Sequence, residues 1–200
     1  MPNSQSPAGS IQVAPIVYPL DDFYSRAGMP LPVIEPLTGA QVPEPYRTLL
    51  VHQNDMTPTL ENYHGAAIHL KIISSEVRGD FYFREVALHL DTTEKPVEFG
   101  ANRVGLDLFP ARARKLILEE RMPLGSILKE CKIEHTTVAR GFFCVQPDEL
   151  ILRALQLTQG APLYGRKATI LDPERRPLSE IVEILPAVSL AGQPGGASHS

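Results

Sequence analysis

Two hundred residues of 22.0 kDa with a formal net charge of −4 make one domain, or one domain with an appended arm, and are too few for two full domains. The balance of 19 basic against 23 acidic residues excludes a general electrostatic attraction to nucleic acid, and no run of about 18 uncharged apolar residues is present to span a membrane. The cysteines, Cys131 and Cys144, cannot build a disulfide framework, and the start MPNSQSPAGS lacks the basic and apolar parts of a signal peptide, so a cytoplasmic protein is expected.

Nine of the 19 prolines fall in residues 1–45, where the apolar residues keep neither a two-residue nor a 3.6-residue period. This segment reads as an extended, partly disordered arm, with residues 11–20 and 29–37 apolar enough to lie along a domain surface. Residues 46–187 form the expected folded domain, and residues 188–200, ending AGQPGGASHS, a flexible tail. In chain order, YRTLLVHQ and NDMTPTLENYHG predict a short helix closed by Gly65. Residues 66–74, 81–90 and 96–104 predict a three-stranded meander with turns at residues 78–80 and 92–95. Pro110 introduces the amphipathic helix ARARKLILEE, and GSILKE forms a second short helix after Pro123. Residues 133–145 predict a strand, Asp148 caps a helix expected to run to Gly160, and residues 163–171 and 178–185 predict a closing strand pair. The order points to an α+β fold with a largely antiparallel sheet.

Strand alternation in FYFREVALHL puts Tyr82, Arg84, Val86, Leu88 and Leu90 on one face. A guanidinium on so apolar a face is costly unless an anion meets it, so Arg84 implies either a protein carboxylate or an acidic ligand opposite. The last strand, PLSEIVEILP, offers Glu180 on one face and Glu183 on the other, each among apolar residues; a glutamate under the opposed influences of burial and a nearby arginine can be poised for proton transfer. Arg166 in LYGRKATIL reads on its own as a solvated strand arginine. Histidines 52, 64, 69, 89, 135 and 199 include no close pair with a cysteine or acid at a recognised metal-ligand spacing, so no metal is expected.

Five motifs in order, NDMTPTLE, FREVAL, MPLGSIL, LYGRKATI and RPLSEIVEILP, resemble the chorismate pyruvate-lyases across residues 46–186. The resemblance implies a chorismate lyase-like fold, an antiparallel sheet with helical flaps over an internal ligand cavity, and conversion of chorismate to 4-hydroxybenzoate and pyruvate without a cofactor, as in ubiquinone biosynthesis. It implies that Arg84 clamps a substrate carboxylate, that Glu183 serves as proton-transfer group, and that Leu124, Met56 and Arg166 also touch the ligand. A carbon–oxygen lyase acting on a small aromatic acid, with no nucleic-acid or membrane partner, is the expectation. The alternative is a non-catalytic, effector-sensing protein of the same fold, as in GntR-type regulators; those domains normally follow a winged helix-turn-helix, which the proline-rich arm does not supply.

Overall fold

The structure, a computed structural model, describes residues 16–187; the expectations for the first residues of the arm and for the tail lie outside the described residues. Seven strands form one sheet: β1 (Ile34–Leu37), β2 (Ile68–Arg78), β3 (Phe81–Leu90), β4 (Pro96–Gly105), β5 (Thr136–Val145), β6 (Leu163–Leu171) and β7 (Pro177–Leu185). Their order is β1-β5-β6-β7-β4-β3-β2, and every neighbouring pair is antiparallel. The β2–β4 meander and the β5–β6 pair meet only through β7, which lies between them.

Helices cover both faces, as strand alternation requires for strands buried nearly throughout. Phe83, Phe99, Phe143 and Ile184 pack with residues of α1 (Leu20–Arg26) and α6 (Glu149–Ala154). Val86 and Leu88, on the opposite side of β3, pack with α2 (Tyr46–Leu50) and α3 (Met56–His64). Further along that face, Tyr82, Ile170 and Ile181 meet α4 (Ala111–Leu118) and α5 (Leu124–Glu130).

Local chemistry sets the helix limits. Helix α3 follows Asp55, carries Pro58 in its first turn and stops at Gly65, whose φ of 61° is left-handed and costs glycine little. Prolines 110 and 123 directly precede α4 and α5, where a fixed φ and a missing N–H do no harm. The Asp148 carboxylate accepts from the Ile151 amide and caps α6. That helix ends at Ala154 rather than near Gly160, since Gln156 already has a φ of 52°.

The segment read as an arm departs most from expectation. Leu20 is fully buried and Tyr24 only 1 % exposed, and β1 pairs with β5 from Ile34↔Val145 to Leu37↔Phe142. From Ile16 the chain is therefore built into the sheet and core. Its elements are only seven and four residues long, too short for a hydrophobic period to show between prolines.

Candidate functional site: an arginine-lined cavity under two helices

An internal cavity of about 40 Å³ lies between the α3–α5 face of the sheet and those two helices. By the measure of about 10–15 Å³ of centre-accessible space per water, it holds a few waters. Met56 and Thr57 from α3, and Leu124 and Gly125 from α5, close it from above; Arg84, Glu98, Asn102, Arg166 and Glu183 form much of its floor. All five residues singled out from the sequence, Arg84, Glu183, Leu124, Met56 and Arg166, thus line one space. The two covering helices touch closely. A Cβ on Gly125 would lie 3.2 Å from the Thr57 hydroxyl, so glycine permits the contact.

Arg84 is 1 % exposed, and its Nε and Nη1 have no hydrogen-bond partner among the described residues. Burial lowers the guanidinium's pKa, against the raising influence of Tyr82 and the more remote Glu120 and Glu98. Tyr82 does not neutralise it, for its hydroxyl donates to Glu120 at 2.7 Å. Two unsatisfied nitrogens, carrying three N–H groups, on a cation at a cavity wall are a poorly compensated feature of the described interior.

Arg166 has the opposite surroundings. The register Arg166↔Glu183 sets the two side by side on β6 and β7, and Arg166 Nε donates to the Glu183 carboxylate. Its remaining nitrogens reach the carbonyls of Leu50 at 3.4 Å, His52 at 3.3 Å and Asn54 at 3.1 Å. Arg166 is wholly buried and ties the loop between α2 and α3 to the sheet; the reading of a solvated strand arginine is corrected, because α2 covers this end of β6. Glu180 lies on the other face, 3.3 Å from Lys167, so the cavity glutamate of β7 is Glu183.

Sequence reasoning missed Glu98. It is 4 % exposed, and its Oε2 has no partner among the described residues. Burial, aided by the Glu183 charge, pushes its pKa well above the ordinary carboxylate range, with Arg166 and Arg84 opposing. The signal was available: an acid between Val97 and Phe99 in a strand is as anomalous as Glu183. Asp55 was also missed. It accepts from His135 Nε2 at 2.9 Å and from the Thr137 hydroxyl, fastening the start of α3 to β5.

No protein-family model and no curated protein matches the chain. Solved structures do match its shape, and they define the class as a chorismate lyase-like α+β fold. PhnF from Mycobacterium smegmatis superposes with a TM-score of 0.52 at 13% identity, over 71% of this chain and 71% of that one. The effector domain of the same protein gives 0.52 at 12% identity, over 66% of this chain and 87% of that one. A GntR-family transcriptional regulator from Bacillus cereus matches at a TM-score of 0.45 and 14% identity, over 64% of this chain and 97% of that one.

The expectation of a carbon–oxygen lyase is corrected on these findings. The fold is shared with the effector domain of PhnF, so the fold itself lends no support to catalysis. The geometry agrees: Glu183, the expected proton-transfer group, is locked to Arg166 rather than left facing Arg84 across a ligand.

Proposed function

We propose that this chain is a non-catalytic binding domain for a small organic monoanion, whose carboxylate pairs with Arg84 in the cavity beneath α3 and α5. The supporting observation is the fully buried Arg84 with two guanidinium nitrogens, Nε and Nη1, unpaired among the described residues. Charge-assisted hydrogen bonds from such a guanidinium to a carboxylate are among the strong ones. Charge counting favours a single negative charge on the ligand. Arg166 and Glu183 cancel, Asp55 and His135 cancel, and Glu98 is driven toward its uncharged form, which leaves Arg84 as the surplus cation. In its protonated form Glu98 offers an O–H donor from the lining of the same cavity. Met56 and Leu124 supply apolar cover, and Arg166 with Glu183 forms a rigid wall. Since the space holds a few waters, an aromatic acid enters with outward movement of α3 and α5.

The test is thermal unfolding of the full chain with 4-hydroxybenzoate, with acetate, and with uncharged 4-hydroxybenzamide. The acids are expected to raise the melting temperature and the amide to leave it unchanged, and Arg84→Met is expected to abolish the response. The same variant, without ligand, is expected to melt higher than the parent, because an uncompensated buried charge is replaced by an apolar chain of similar reach. Stabilisation of Arg84→Met by the acids equal to that of the parent would defeat the proposal.

A further inference from the structure

On the sheet face opposite the cavity, His69 of β2 and His89 of β3 are direct cross-strand partners, with ring centroids 5.7 Å apart and the rings stacked at 29°. The turn between β3 and β4 returns Glu94 over them, placing its Oε2 3.5 Å from His69 Nε2. One donor atom from each of His69, His89 and Glu94 lies within 4.8 Å of the other two.

A second observation concerns the nitrogens that face away. His69 Nδ1 sits 2.7 Å from the Asp91 carboxylate, and His89 Nδ1 sits 2.8 Å from the Glu94 carbonyl. Carboxylate and carbonyl oxygens only accept, so in each neutral ring Nδ1 must carry the proton and Nε2 the lone pair. Outer oxygens that fix the tautomer and aim the other nitrogen are the usual support of a metal-binding histidine. Linear spacing hides the arrangement, because the two histidines are brought opposite one another by the hairpin.

We propose that His69 Nε2, His89 Nε2 and the Glu94 carboxylate bind one divalent cation of borderline character, Zn²⁺ being the representative, with water completing the coordination. Nitrogen and carboxylate donors suit such an ion. Metal–ligand bonds of about 2.0–2.1 Å put tetrahedral donors roughly 3.4 Å apart, which the His69–Glu94 separation of 3.5 Å already meets. His69 and Glu94 are accessible, with side chains 31% and 62% exposed, so an ion has an entry path. Lys71 Nζ, 2.8 Å from Glu94 Oε2, competes for the carboxylate and sets the affinity below that of a site without it. The cation would clip β2, β3 and the following turn together. The adjacent pair Leu70↔Leu88 lines the cavity on the other face, so the clip would stiffen one wall of the ligand space.

The experiment titrates the full chain with Zn²⁺ alone in competition with a chromophoric chelator, beside His69→Gln, Asp91→Ala, Lys71→Met and Cys131→Ser/Cys144→Ser, with circular dichroism confirming that each variant is folded. One equivalent is expected to bind to the parent and to the cysteine variant. Binding is expected to weaken about 10- to 100-fold in Asp91→Ala, where only the outer support is lost, and further in His69→Gln. Lys71→Met is expected to bind more tightly. Absence of stoichiometric binding, unchanged binding in His69→Gln, or loss in the cysteine variant would each overturn the site.

Discussion

Arg84 and Arg166 both leave solvent almost entirely and enter the same cavity, yet Arg166 meets a carboxylate and backbone carbonyls while Arg84 keeps two bare nitrogens. Opposite consequences of substitution follow. Removing Arg84 relieves an uncompensated charge; removing Arg166 creates one, on Glu183, and strips donors from the loop between α2 and α3. Arg166→Met is expected to cost about 3–5 kcal/mol, the usual result of breaking one side of a buried pair, as read by urea unfolding. A loss near zero would return Arg166 to the solvated role first read for it. Arg84 was legible because its whole strand face is apolar. The burial of Arg166 was not, since alternation along a single strand says nothing about which face a helix later covers. Glu98 was legible by the same anomaly that marked Glu183.

Helices α3 and α5 form the movable side of the cavity, and their attachments decide how readily it opens. One is the clasp from Asp55 to His135, both about one-fifth exposed. Hydrogen bonding to Asp55 raises the His135 pKa; for Asp55, burial alone would raise the carboxyl, but the bonds from His135 and Thr137 hold it below its usual range. A raised histidine contributes stability that is complete below its unfolded value and fades as pH rises through the folded one. A depressed aspartate contributes above its unfolded value and fades as pH falls through the folded one. The clasp is therefore strongest between about pH 3.9 and 6.5 and weakens on either side. From about pH 5.5 to about pH 8.5 the unfolding free energy is expected to fall, through the loss of this clasp, by up to about 1 kcal/mol in the parent and by less in His135→Asn. An equal fall in both would remove His135 from the account. The periodic helices and long strands of this region were readable from sequence, whereas α1 and β1 were not, being too brief between prolines for any pattern to accumulate. The opposition of His69 and His89 depends on hairpin register, which residue spacing alone does not specify.

The boundary of the folded unit belongs to the whole molecule. Val17, Leu20, Phe23, Tyr24 and Val42 are buried, each worth about 1.5–3 kcal/mol on full burial, against a total stability of about 5–15 kcal/mol for an ordinary domain. A fragment beginning at Tyr46, where the sequence suggested the domain starts, is expected to melt far below the full chain or to aggregate, as seen by calorimetry and gel filtration; an unchanged melting temperature would restore the arm as an appendage. The α+β class and antiparallel sheet were legible because strands and helices alternate in blocks along the chain. Strand order was not, since it is set by long-range pairing. That order has a further outcome during synthesis. Because β7 alone bridges β4 and β6, a nascent chain that has not yet released it exposes two unpaired strand edges, each a template for a foreign strand. The strand nearest the end of the described polypeptide thus acts as a keystone, delivered by the ribosome after every other strand of the sheet.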